Sequence, residues 1–154
     1  MLSDSGWPDN PAALFTMSVL AGSSSPGFFR PVNESSAFSM RRDLFERWGG
    51  FDERYTSPGG GPSNLEIFRR YTMRPGARNV CLLSEGSFHQ VHDGVATSGR
   101  MTWDDFDAEH RQTFGEDFPL PVYDTLYFGG VRPEAARFLE ESIAAALPPP
   151  APAG

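Results

Sequence analysis

A helix that is told where to stop does most to constrain this chain. In the run Ser36-Ala37-Phe38-Ser39-Met40-Arg41-Arg42-Asp43-Leu44-Phe45-Glu46-Arg47-Trp48-Gly49-Gly50-Phe51-Asp52-Glu53, charged and apolar side chains alternate at helical spacing from Arg41 to Trp48. Two glycines follow at once, then an apolar residue and two acids. Glycine takes the left-handed backbone at the position after a helix cap without steric penalty, so Gly49 fits C′. Ser39 is the expected N-cap, because a hydroxyl there accepts from a free first-turn amide. The stretch predicts a short amphipathic helix near Asp43 to Trp48, ended sharply.

The rest of the chain is cut into similarly short pieces. Residues 1–10 are polar and turn-rich, and Ala12 to Leu20 fits either a short helix or a strand. Ala21 to Phe29 reads as a loop around Gly-Ser-Ser-Ser-Pro-Gly, and Arg54 to Gly61 as a loop ending in three glycines. Pro62 suits a first helical turn. A helix is expected from Ser63 to Arg74, with Leu65, Phe68 and Thr72 on one face, Ile67 and Tyr71 beside it, and Pro75-Gly76 ending it. Val80 to Leu83 predicts a buried strand, Glu85 to His92 a second extended segment or a loop edge, and Asp93-Gly94 a turn. Thr102-x-x-Asp105 has the form of a capping box, with Trp103, Phe106 and His110 following at helical spacing. Pro119 to Tyr127 reads as extended and irregular. Pro133 opens a last helix with Leu139, Ile143 and Ala146 on one stripe. The expectation is an α/β fold of short strands with three to four helices. One domain covers 1–146, and a proline-rich tail, expected to be disordered, covers 147–154.

Bulk properties narrow the function classes. A chain of 154 residues with 39% hydrophobic and 21% charged side chains is globular in composition. The net charge of −7 argues against a broad nucleic-acid surface. All 13 basic residues are arginine, which suits bidentate phosphate contacts. Alanine, glycine and proline are abundant too, so a GC-rich coding sequence explains the arginines equally well. No stretch reaches the roughly 20 apolar residues of a membrane span, and the first 30 residues lack a signal peptide's basic start and apolar run. These features set the expectation of a soluble, cytoplasmic protein. Cys81 is the single cysteine, in the apolar run Val80 to Leu83, so no internal disulfide forms.

Phe88-His89-Gln90-Val91-His92-Asp93-Gly94 holds the densest chemistry, two imidazoles and a carboxylate. Such groups ligate first-row divalent metals. There is no cysteine cluster to build a structural zinc site. On a strand His89 and His92 would point to opposite faces, so only one would reach a shared site. A packed or turn-capping histidine is the structural alternative. Gly59-Gly60-Gly61 leads into a helix N-terminus, whose free amides favour an anion, but no Lys-Ser/Thr follows to make a P-loop. A flexible loop explains the glycines as well. Glu34 and Ser36 precede the first clear helix in the polar run Asn33-Glu34-Ser35-Ser36, which a surface turn explains by itself. Neither a hydrolase nucleophile elbow nor Gly-x-Gly-x-x-Gly is present.

These motifs in this order resemble the acceptor-side half of family 2, GT-A type glycosyltransferases, over roughly residues 14–140. In that family a helix ending in Gly-Gly-Phe-Asp-Glu walls the acceptor side of a nucleotide-sugar cleft. A glycine-led Glu-Asp-x-Asp-Leu-x-x-Arg helix follows, matched here by Ser63-Asn64-Leu65-Glu66-Ile67-Phe68-Arg69-Arg70. Asn64 stands where the family places its catalytic base, and an amide cannot accept that proton. Glu66 keeps an acid at the third acidic position, as a sugar ligand or displaced base, with a solvated helix-start acid as the alternative. Carried over residue by residue, the resemblance implies Glu66 and Asn64 as catalytic positions. It implies Glu34, Ser36, Gly60 and Gly61 as substrate-binding, and His89 or His92 as ligand to a divalent cation (Mn or Mg). The implied fold is a partial GT-A fold. No strand-rich nucleotide-binding half carrying its Asp-x-Asp stands upstream of these motifs in this sequence. The implied reaction moves a sugar from a nucleotide diphosphate sugar to a hydroxyl acceptor. A separate nucleotide-binding half, or self-association, is then expected. Two other readings stay open: a non-catalytic binding remnant, and an unrelated small metal-binding α/β protein.

Overall fold

The computed structural model describes residues 6, 9–21, 24, 27–32, 39–90, 92, 94–95 and 100–147. Among them are five α-helices and a two-stranded parallel sheet, an α/β arrangement with one helix more than the upper expectation. The helices are α1 (Ala12–Met17), α2 (Arg42–Arg47), α3 (Ser63–Thr72), α4 (Trp103–Phe114) and α5 (Ala136–Ala146). The strands are β1 (Asn79–Leu82) and β2 (Thr125–Phe128). Within the single domain expected over 1–146, backbone packing separates two compact units. One is built from residues 1–32, 79–88 and 124–154, the other from 33–78 and 89–123. Residues 148–154, most of the expected tail, lie outside the described residues.

The first unit gathers α1, both strands and α5. Phe15, Ala135, Phe138 and Leu139 form its buried cluster, with Leu20, Phe28, Phe29 and Leu83 packed against it. Phe15 meets Phe88 edge-on at 5.0 Å and Phe138 at 6.2 Å. Each buried phenylalanine contributes about 2–3 kcal/mol of transfer free energy. Gly27 has φ +70°, and a Cβ there would fall 2.0 Å from Ser142 Oγ. Only glycine lets the short 3-10 turn Gly27–Phe29 lie this close to α5, where the Phe28 amide donates to Ser142 Oγ. The stripe expected on the last helix is rotated. Phe138, Leu139 and Ser142 are buried, and Ile143 is half-exposed. Ser142 is accepted inside because its hydroxyl donates to the Phe138 carbonyl.

The sheet departs from expectation in the same way. β1 and β2 pair in parallel with Val80 opposite Leu126 and Leu82 opposite Phe128. Parallel strands are ordinarily covered on both faces. Here Val80 and Leu82 are each about half exposed, so β1 alternates rather than lying buried. Burial still raises the Cys81 thiol pKa. Among the described residues of Glu85 to His92 there is no second strand, and the expected turn at Asp93-Gly94 falls partly outside them.

The second unit holds α2, α3 and α4. α2 stops as the glycines dictate, with Gly49 at φ +90°. Its N-cap is Arg41 rather than Ser39, and no side chain caps it. Asp43 lies in the first turn and Arg47 in the last, both favourable to the helix dipole. α3 is shorter than expected, ending at Thr72, and Pro62 sits at its N-cap rather than inside its first turn. Its buried residues are Glu66, Ile67 and Tyr71; Leu65 and Phe68 are only half-buried. α4 has the full capping box: Thr102 Oγ1 accepts from the Asp105 amide, and the Asp105 carboxylate accepts from the Thr102 amide.

Candidate functional site

An i,i+4 pair on α3 ties the two motifs of the second unit together. Glu66 and Arg70 are one turn apart and form a two-point ion pair, Arg70 Nε to Glu66 Oε1 at 2.9 Å and Nη2 to Oε2 at 3.0 Å. The same guanidinium donates to the carbonyls of Trp48 and Gly50, the open C-terminal end of α2. Helix ends leave such carbonyls without partners, and a side-chain cation satisfies both hydrogen bonding and dipole. Trp48 and Phe45 then pack edge-on against Tyr71 at 5.3 and 6.5 Å. The Gly-Gly-Phe-Asp-Glu turn is thus fixed on α3 by one arginine and an aromatic seam.

Beside this clamp lies an open concavity of about 430 Å³. Its polar lining is Asp52, Glu53, Arg54, Glu66 and Arg70, and its apolar lining is Phe51, Phe114 and Gly49. Asp52 accepts from Arg54 through both oxygens, at 2.9 and 2.7 Å, and that bond holds its carboxyl below the usual range. The Arg54 guanidinium lies 4.1 Å from the Phe114 ring centroid. Phe51 presents about half of its surface to solvent. Of the three carboxylates, Asp52 and Glu66 are each committed to an arginine. Glu53 is exposed and outside both pairs.

The sequence-derived residues distribute unevenly. Glu66 lines the concavity, but its side chain is only 6% exposed and both oxygens hold Arg70, so it works as an anchor. Asn64 is exposed in the first turn of α3. Gly60 closes a 3-10 turn, Pro58–Gly60. The Glu109 carboxylate lies against Gly61, so close that a Cβ would fall 2.1 Å from Oε2. An acid therefore occupies the space beside Gly61 where a diphosphate was expected. Glu34 and Ser36 lie outside the described residues.

His89 and His92 are not on a strand, and they do not diverge. Their Nε2 atoms lie 3.1 Å apart. Two nitrogens each about 2.1 Å from one metal ion stand roughly 3 Å apart at cis or tetrahedral angles, so the spacing suits a shared cation. Among the described residues no group of three or more His, Cys, Asp and Glu side chains is placed to hold a metal. The pair offers two exposed ring nitrogens within hydrogen-bonding distance of each other. The residues that the motif reading missed are Arg70, Arg54, Glu109, Tyr55 and His110. The i,i+4 spacing of Glu66 and Arg70 was the available signal for the first.

No protein-family model matches the chain, and neither the search of curated proteins nor that of solved structures found a match. No helix among the described residues is long and apolar enough to cross a membrane.

Proposed function

We propose that this chain is the acceptor-side half of a GT-A type glycosyltransferase, moving a sugar from a nucleotide diphosphate sugar to a hydroxyl. The observation that carries the reading is the Arg70 clamp. It joins the helix ending in Gly-Gly-Phe-Asp-Glu to the glycine-led helix, and the two together wall a concavity of saccharide size. Phe51, about half exposed, offers an apolar ring to a sugar, while Asp52, Glu53 and Arg54 offer acceptors and donors to its hydroxyls. Glu66 is a positioning residue, because it holds Arg70. Asn64 orients rather than deprotonates. Glu53 is the carboxylate outside the ion pairs and is the one placed to take the acceptor proton. His89 and His92 would hold a manganese or magnesium ion, which when bound neutralises the leaving diphosphate. The nucleotide would be held by the nucleotide-binding half of such an enzyme. A second reading, a metal-binding protein without transferase chemistry, rests on the 3.1 Å approach of the two imidazoles.

The test is an NMR titration of the labelled chain with a panel of neutral mono- and disaccharides, then with manganese. Saccharide shifts confined to Gly49 through Arg54 and to Phe114 support the transferase reading. Shifts elsewhere, or none at saturating sugar, overturn it. Manganese broadening at His89 and His92 without any saccharide shift favours the second reading.

A further inference from the structure

His110 lies one turn before Phe114 on α4 and does not itself line the concavity. It is 1% exposed, and it is enclosed by aromatic rings. Phe114 stacks on it at 4.6 Å, Phe118 meets it edge-on at 4.9 Å, and Tyr55 stacks at 6.1 Å. The Tyr55 hydroxyl, itself buried, lies 2.6 Å from Nδ1. Nε2 is buried without a partner. On the preceding residue of the helix, Glu109 Oε1 accepts from the amides of Thr56 at 2.7 Å and Ser57 at 2.9 Å. The 54–57 segment is therefore pinned to α4 at adjacent points, by one imidazole–phenol bond and one carboxylate.

We propose that this pin is an acid-sensitive latch: protonation of His110 releases the 54–57 segment from α4 and with it Arg54, which reaches into the concavity. The neutral ring offers one N–H and one lone pair; Tyr55 satisfies Nδ1, and Nε2 is left without a partner. The charged ring carries an N–H on both nitrogens. Nδ1–H then donates to the phenol oxygen, Nε2–H has no acceptor, and a cation is enclosed by three rings and little water. The surrounding charges do not rescue it. From α3 the Arg69 guanidinium opposes a second cation, and its own Nε is buried without a partner. Glu66 on α3, Asp107 on α4 and Glu116 beyond its end favour the charged ring, but Glu66 is neutralised by Arg70 and Asp107 by Arg111. Burial first, and Arg69 after it, hold the His110 pKa below its ordinary 6.5. The opened segment therefore binds more protons than the latched one. The latch is at full strength above that ordinary value and is lost as pH falls through the folded pKa.

Amide exchange in the full chain, read by NMR between roughly pH 7.5 and 5.5, tests this. After correction for intrinsic rates, the opening constants of Tyr55, Thr56 and Ser57 should rise on acidification by up to about tenfold per pH unit, the slope of one proton. The α5 amides should stay flat. The same response should persist in a His89→Gln/His92→Gln double variant and vanish in His110→Phe, which keeps the ring and loses the proton site. A His110 ring signal that titrates at or above 6.5, or exchange at residues 55–57 that ignores pH, overturns the latch. The wild-type titration decides the matter even if His110→Phe does not fold.

Discussion

The two compact units use the same amino-acid alphabet to opposite ends. The first is closed by apolar packing: Phe15, Phe138 and Leu139 meet around Ala135, and its polar insiders, Ser84 and Ser142, are single hydroxyls that bond to neighbouring backbone. The second carries charge and titratable groups inside. Glu66, His110 and Tyr55 are each less than a tenth exposed, and the links that order its loops run through them. The difference matters because apolar burial is indifferent to pH and salt, whereas a buried ion pair or imidazole is stable only while every partner is in place. Function that responds to conditions therefore belongs to the second unit.

The largest expected effect tests the apolar half of the contrast. Phe138→Ala should destabilise the first unit by about 3–5 kcal/mol, with the same loss in urea melts at pH 7.5 and pH 6. A loss that changed with pH would mean that charge contributes there after all. Next, Arg70→Ala leaves the buried Glu66 carboxylate and two α2 carbonyls without a donor. A cost of about 2–3 kcal/mol is expected, below the full range for a buried pair because Arg70 is one-quarter exposed. Glu66→Gln should cost less, since the amide keeps an acceptor for Arg70. Exchange protection should fall in α2 and α3 and hold in α5. If Arg70→Ala cost under about 0.5 kcal/mol, the polar clamp would be ornamental and the contrast would fail. The smallest effect is Thr102→Ala, about 1 kcal/mol from loss of the cap on α4. α5 has no side-chain cap to lose.

How much of this was legible depends on the residue. The glycine stop after Trp48 and the capping box at Thr102 were readable because each requires only neighbours within about four residues. The face of α5 was not. Leu139, Ile143 and Ala146 satisfy helical spacing, but the buried position went to Ser142, because Gly27 lets the backbone approach there and Phe28 donates to the hydroxyl. The candidate site residues were readable as a string of motifs, but the neighbour each would meet was not. Glu66 shows this best, since its carboxylate is taken up by Arg70 one turn away. His89 and His92 were assigned to opposite faces by strand geometry, and with no strand there the two rings converge instead.

The sequence by itself determined the glycine stop of α2 and the capped start of α4, that the described helices are short and none spans a membrane, and which segments hold the imidazoles and acids. Those outcomes follow from local sterics and local hydrogen bonds, which travel with the chain. Only the tertiary structure decided which acids became anchors, which histidine was shut among aromatic rings and which lay together in the open. Desolvation and pairing are properties of neighbours far apart in sequence: Tyr55 with His110, Trp48 with Arg70, Gly27 with Ser142. No local pattern encodes such a neighbour, so its energetic consequence appears only once the chain has folded around it.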